Sequence, residues 1–529
     1  MTGRNLFLTF VVIFFIVAGV MPLLAMLVKC IAPDGVPALD AFSGLLTSPR
    51  NRQLMQNSLC LALLVTLFAV SAGTPAGIVL GKTDIPFRRS LLLLFLLPLL
   101  VPPYIMAVSW SCILGPEGLL AGFAGKGAAA VATRFLFGLP GCVLVMSSIF
   151  MPVPMLVAMT FARETDPALE EAGRIITGWP GVLKNITIPL MMPGIIMSAI
   201  LVFILAFGEF SVPAFLRYDV FPVESFIRFS AFYDFRSATA AAMPLVVVAC
   251  LLPIIERRVT WKMKRGSVSM APRRDAGRVY LIRTGRMGRW LLLLLVLTCL
   301  VTVVLPVVTL VVRSGSWKTV FEAVRMAGDS MARSVVYAAS GTSLLLFTGF
   351  FTGYVIHSRL FGYWSLLDAM TLFLFVLPGT VTGIGLISLW NTEWTNFIYG
   401  TPLIIMMGYV ARYTAVTARI AVASLSGISP SMEEAARSAG AGWFRRMFFV
   451  VIPLAGRGLA AAWLAGYIFC LRDTSVTMLV YPPGHDTLPV RIFTLMANGS
   501  PELVAALCVI MTVITIIPAA FLFVLRPST

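Results

Sequence analysis

Residues 166–190 read DPALEEAGRIITGWPGVLKNITIPL, and residues 429–454 read SPSMEEAARSAGAGWFRRMFFVVIPL. Each stretch opens with an Asp or Ser followed by Pro. The side-chain oxygen of such a residue can accept from first-turn amides, and a Pro at the first helical position gives up no needed donor. Each then carries Glu-Glu-Ala, a Gly near the end of a short helical run (Gly178, Gly440), a Trp (Trp179, Trp443), and Ile-Pro-Leu at the foot of a long apolar segment. Glu171 and Glu434 are 263 positions apart (434 − 171), and Pro189 and Pro453 are 264 apart (453 − 189), which is half of a 529-residue chain. Repetition on that scale reads as a fused duplicate and fixes the organisation before any fold is chosen.

Composition sets the solvent. Hydrophobic residues make up 59% of the chain and charged residues 12%, and the mean hydropathy is +0.94. A soluble domain is roughly 45–50% apolar and 25% charged. The chain therefore reads as an all-α polytopic membrane protein. The net charge of +17 sits in short gaps between apolar runs, as membrane topology requires. It does not form a basic domain, which argues against nucleic acid as a partner. Eight cysteines lie in or beside apolar runs with no CxxC pair, and only His357 and His485 are present. No metal site or disulfide framework is expected from this, and no cofactor. The run from Leu6 to Val28 is too long for a signal h-region and is expected to be a retained span.

At about 20 apolar residues per helix, twelve runs qualify, six per half: 6–29, 56–80, 89–113, 137–162, 190–212 and 239–256, then 290–313, 334–356, 365–390, 400–424, 454–476 and 502–525. The expected domains are a first half, 1–256, a basic linker, 257–289, and a second half, 290–529. The halves echo each other further. LPLLVPPYIMAVSW from Leu97 faces LPGTVTGIGLISLW from Leu377, pairing Pro98 with Pro378 and Trp110 with Trp390. AFGEFSV faces CLRDTSV, which pairs Ser211 with Ser475. The linker carries Arg257, Arg258, Lys262, Lys264, Arg265, Arg273, Arg274, Arg278, Arg283, Arg286 and Arg289. By the positive-inside rule it belongs in the cytoplasm, with both termini and both 166–190 and 429–454 on the same side. Six spans per half make the halves parallel repeats.

The pattern of Glu-Ala-Ala, a Gly six residues after that Glu and a Pro nineteen after it resembles the EAA loop of ABC-importer permeases. Glu434, Ala435, Ala436, Gly440 and Pro453 fit it. The first copy, Glu170, Glu171, Ala172, Gly178 and Pro189, departs from it: Gly173 replaces the second Ala, Thr177 stands where Gly is expected, and Glu171 to Pro189 spans 18 residues. A one-residue deletion beside Gly178 restores the alignment. The resemblance implies that Pro167–Ile176 and Pro430–Ala439 are coupling helices that sit in clefts of ATPase subunits, with Lys184, Arg445 and Arg446 framing them. The plainer alternative is a pair of interfacial loop helices, acidic where the helix dipole favours it. No G-x-x-x-x-G-K-[ST] occurs in the chain. On this resemblance ATP is hydrolysed by two separate subunits, one under each half, and a periplasmic binding protein delivers the cargo to this multi-pass inner-membrane protein, which is not itself an enzyme.

Glu209 and Asp473 hold nearly equivalent places, each two residues before the Ser-Val of its half. Ionisable residues at the ends of spans are often functional, so these two are expected to flank the substrate path near the outer gate. The alternative is that both sit at the water interface, satisfied by Arg217 and Arg472. The stretch from Tyr481, with His485 and Asp486, is expected to shape a docking face. VPPYIMAVSW followed by GPEGLL, and LRDTSVTMLVYPPG followed by TLPVRIFTLM, are similar to fused permeases of the ferric-iron type, which implies iron as cargo. Fused permeases for thiamine or a phosphonate share the architecture. From another class, a twelve-span secondary transporter would need no ATPase but would favour ionisable residues for ion coupling, and mid-span charges are nearly absent.

Overall fold

The computed structural model describes residues 3–31, 48–231, 237–251, 282 and 285–524. Among these residues the only extended pairing is a single bridge between Thr83 and Ile282. In chain order the helices are α1 (Gly3–Ile31), α2 (Pro49–Lys82), α3 (Arg88–Leu100), α4 (Pro103–Leu114), α5 (Leu119–Leu136) and α6 (Leu139–Glu164). Then come α7 (Pro167–Val182), α8 (Ile188–Phe207), α9 (Ser211–Phe215), α10 (Phe221–Ser230), α11 (Ser237–Leu251), α12 (Gly285–Arg313) and α13 (Trp317–Ser358). The last group, apart from a single turn at Asn396–Tyr399, is α14 (Trp364–Val376), α15 (Gly379–Trp390), α16 (Leu403–Ser426), α17 (Pro430–Ser438), α18 (Trp443–Leu454), α19 (Gly456–Leu471), α20 (Thr477–Val480), α21 (Leu488–Asn498) and α22 (Pro501–Val524).

This is a polytopic membrane protein. Eight helices among the described residues are long and apolar enough to cross a bilayer, or ten if each of two bent pairs is one span. Two further expected runs are helical without meeting that test. Residues 239–256 are represented by α11, which is short, and 400–424 by α16, which carries Arg412 and Arg419. Most of the basic linker lies outside the described residues. Arg286 and Arg289 open α12.

The chain folds as two compact units. One comprises Met1–Gln53, Phe221–Val247 and Ser314–Thr529, and the other Leu54–Val220 and Val248–Arg313. Each unit thus takes a span from the distant half of the sequence. In the first, Phe7 of α1 packs edge-on against Phe351 of α13, ring centroids 4.9 Å apart. Lys29, near the end of α1, donates from Nζ to the Ser388 carbonyl at 2.6 Å, a cation at the C-terminal turn of α15. In the second unit, Leu295, Cys299 and Val303 of α12 share a core with Leu91 and Phe95 of α3 and Met155 of α6.

Close approach is bought by missing side chains. Gly73, Gly77 and Gly81 form a stripe on α2, and a Cβ at Gly77 would lie 2.2 Å from the Met155 carbonyl oxygen of α6. Gly349 and Gly353 do the same on α13, where a Cβ at Gly353 would meet the Ala418 carbonyl of α16 at 2.7 Å. Inside a bilayer lipid competes on equal terms for apolar surface, so van der Waals contact between backbones decides which helices pair.

Prolines shape the rest. Four wide π turns interrupt the spans, at Ile16–Val20, Leu183–Thr187, Leu300–Val304 and Met447–Val451. Each ends two residues before a proline: Pro22, Pro189, Pro306 and Pro453. A proline ring collides with the carbonyl four residues back and offers it no N–H, and a wide turn makes the room. Where the residue before proline is driven out of the helical region, the span breaks. Leu377 before Pro378 has ψ 136°, and α14 and α15 bend by 109°. Val101 before Pro102 has ψ 147° and separates α3 from α4. The counterpart of Pro378 at the break is therefore Pro102. Pro98, its expected match, lies inside α3.

Candidate coupling helices and pathway carboxylates

Asp166 caps α7 as its residue type suggests, Oδ1 accepting from the Ala168 N–H at 3.0 Å. Ser429 does not cap α17. Its hydroxyl pairs with that of Ser431 at 2.7 Å. Helical residues continue past the expected end of the first coupling helix, to Val182, but across a kink at Gly178, φ 66° and ψ 177°. Gly440 has φ 81° just beyond α17. A left-handed φ is open to Gly at little cost, and Gly178 and Gly440 each close their helical run with one, although Gly178 stands seven residues after Glu171 and Gly440 six after Glu434. Pro189 and Pro453 likewise follow equivalent wide turns.

Glu171, Ala172, Glu434 and Ala435 are exposed and Ala436 is half-buried. Glu170 is different. It is 2% exposed, ion-paired with Lys82 at the end of α2, and its Oε1 also accepts from the Thr187 hydroxyl at 2.8 Å. The matching Glu433 is 37% exposed and pairs with Arg446 Nε at 3.6 Å. The second loop is held instead by aromatics. Trp443 Nε1 donates to the Tyr354 hydroxyl at 3.2 Å, and Phe7 packs on Phe444 at 5.7 Å. Lys184 and Arg445 are exposed, while Arg446 donates to the Ala441 carbonyl at 3.1 Å.

The two path candidates share a local design and differ in charge balance. Glu209 is half-buried, and its Oε1 accepts from the Ser211 N–H at 2.9 Å and the Ser211 hydroxyl at 2.5 Å, capping α9. Among the described residues it has no ion pair. Asp473 is 3% exposed. Its Oδ2 caps α20 through the amides of Val476 and Thr477 and the Thr477 hydroxyl, at 2.9–3.2 Å. Its Oδ1 accepts from Arg412 Nη1 at 3.0 Å and the Tyr413 hydroxyl at 2.7 Å. The sequence neighbours suggested as counter-ions stack on rings: Arg217 over Phe137 at 6.0 Å and Arg472 over Phe469 at 5.2 Å.

No family model matches the chain. A protein named for ferric transport, permease FbpB 1 of Haemophilus influenzae, is 24% identical over 513 residues, covering 91% of this chain and 78% of the relative. The ferric transport system permease FbpB of Actinobacillus pleuropneumoniae is 22% identical over 89% of this chain and 70% of its own length. A protein of Haloferax volcanii named as a probable molybdenum ABC transporter permease is 31% identical over 195 residues, 36% of this chain and 68% of the relative. The chain belongs to the ABC-importer permeases. Such a permease is a transport component rather than an enzyme, a multi-pass protein of the inner membrane that works with ATP-binding subunits and a periplasmic binding protein.

In this permease the loop after α20 is tied to α13. Asp486 accepts from Arg333 Nη2 at 2.9 Å and from the Ser330 hydroxyl at 2.8 Å, and the Tyr337 hydroxyl pairs with His485 Nδ1 at 2.7 Å. Among the described residues no cluster of three or more His, Cys, Asp or Glu could hold a metal. Sequence reasoning missed Lys82, Thr187 and Arg412. Lys82 is visible in the sequence as a charge closing a long apolar run, and Arg412 as a cation inside the run 400–424.

Proposed function

We propose that the chain is the permease of an ATP-driven importer of ferric iron, which accepts its cargo from a periplasmic binding protein. The observation that carries this reading is the reach of the relatives named for ferric transport, which cover 85–91% of the chain. A second reading, import of a molybdenum oxyanion, is favoured by the higher identity of the Haloferax volcanii relative, but that match reaches 36% of the chain. The half-open Glu209 carboxylate favours a cation.

On this reading the chain has twelve spans as two parallel six-helix repeats, 1–256 and 290–529, joined by the basic linker 257–289, with both termini cytoplasmic. Two ATP-binding subunits engage α7 and α17, one each. Glu171 and Glu434 meet basic or amide donors there. The small side chains of Ala172, Ala435 and Ala436 let the partner surface come close, while Gly178, Gly440, Pro189 and Pro453 set the angle at which each coupling helix leaves its span. Glu170 acts from inside the bundle. Nucleotide-driven movement of the ATP-binding subunits reaches the spans through these two helices, by the rigid-body rearrangements common to such switches. Glu209 and Asp473 flank the path at the outer ends of α8 and α19. Arg412 neutralises Asp473, so Glu209 supplies the negative charge.

The test is uptake into proteoliposomes containing the assembled complex and its binding protein, with ferric ion, molybdate and 2-aminoethylphosphonate offered separately. Ferric ion is accumulated only with ATP inside the compartment that faces the ATP-binding subunits, and uptake falls when Glu209 and Asp473 are both changed to Ala. Uptake of molybdate in its place, or ferric uptake without ATP, overturns the reading. Unchanged ferric uptake in the double variant removes the two carboxylates from the path.

A further inference from the structure

We propose that Glu170 is a positioning residue that makes the first coupling helix the stiff arm of the transmission, while the second coupling helix is free to tilt. The inference rests on the importer reading above and adds an asymmetry between the two coupling helices.

At the first loop one carboxylate oxygen joins three elements. Glu170 stands in the first turn of α7, Lys82 closes α2, and Thr187 ends the wide turn that leads into α8. Lys82 and Glu170 are 4% and 2% exposed. Tilting α7 away from the bundle would strand a carboxylate and an ammonium in a place water does not reach, and separating a buried pair is far costlier than separating an exposed one. A connected polar group of this kind is strong only while every member is satisfied. So α7 moves with the ends of α2 and α8, or it does not move.

The second loop lacks each of these parts. Glu433, the counterpart of Glu170, is 37% exposed, and its cation, Arg446, belongs to the same loop. The close-packed glycines Gly77 and Gly353 align α2 with α13, which puts Ser358 in the place of Lys82. No residue of α17 is buried. The anchor on this side, Trp443 against Tyr354 and Phe7, lies beyond Gly440, on α18. Displacing α17 separates a partly exposed carboxylate from a cation of its own loop, 3.6 Å away, and bends the chain at a glycine.

The experiment measures ATP hydrolysis and uptake of radiolabelled ferric ion, supplied on the cognate binding protein, in the same reconstituted complex. Glu170→Gln and Lys82→Met lower the ions moved per ATP hydrolysed by about tenfold, within the range that coupling between two sites ordinarily spans, while hydrolysis itself persists. Glu433→Gln leaves the ratio unchanged. Thr187→Val keeps the ion pair, serves where the charge variants do not accumulate, and lowers the ratio by a smaller factor. A merely structural role would reduce uptake and hydrolysis together and leave the ratio alone. That outcome, or an equal fall in Glu433→Gln, overturns the proposal. Should the unmodified complex hydrolyse no ATP in response to loaded binding protein, the importer reading itself fails, and it does so before any variant is compared.

Discussion

Five donors converge on the two oxygens of Asp473: Arg412, the Tyr413 hydroxyl, two backbone amides and the Thr477 hydroxyl. Glu209, at the matching place, has its Oε1 met by one serine. The stability of the protein should therefore respond unequally to the two regions. Arg412→Met leaves a carboxylate buried without its cation, a change that costs about 3–5 kcal/mol, and should lower the melting temperature in detergent sharply. Glu209→Gln should shift stability by no more than about 0.5 kcal/mol, as substitutions away from buried networks do. Equal melting temperatures for the two variants would contradict the assignment. The pairing of Glu209 with Asp473 was legible from the flanking Ser-Val of each half. Their environments were not, because Arg412 lies 61 positions from Asp473 and only the helix packing brings it there.

The helices themselves were largely legible, since each apolar run became helical over most of its described length. Their interruptions were half legible. The prolines could be read, but a proline with a wide turn before it (Pro189, Pro453) and a proline at a full break (Pro102, Pro378) look alike in sequence. The glycine stripes were not read at all. Their meaning depends on a carbonyl from another helix that sequence does not place. Gly77→Val should destabilise the protein by about 1–3 kcal/mol or more through overpacking, because even a Cβ would stand 2.2 Å from the Met155 oxygen. Gly122→Ala, where a Cβ meets nothing within 4 Å, should be neutral in the same thermal melt. Loss of stability in both, or in neither, would mean that the α2–α6 approach is not as close as described.

The half-chain repeat in the sequence predicts a duplicate divided near residues 257–289, yet the compact units do not follow that boundary. Residues 1–53 fold with 314–529, and 248–313 fold with 54–220. Apolar spans such as α1 and α12 have little polar face to specify a neighbour, so the packing of Phe7 on Phe351 and the core that Val303 shares with Phe95 could not be read in advance. A chain cut within residues 257–281 should give two fragments that accumulate in the membrane together. The second fragment alone should not, because the surfaces of Phe351, Trp443 and Gly385 that α1 covers would be bare. Equal abundance and melting of that fragment on its own would count against the exchanged first span.

The central claim is that α7 and α17 hand the work of ATP-binding subunits to the membrane spans. The most direct measurement is retention of the ATP-binding subunits on affinity-purified permease carrying Glu171→Arg and Glu434→Arg together. The account predicts that the unmodified permease retains them, and that the double variant loses them with its own melting temperature unchanged, since both glutamates are exposed. Full retention in the double variant would contradict it.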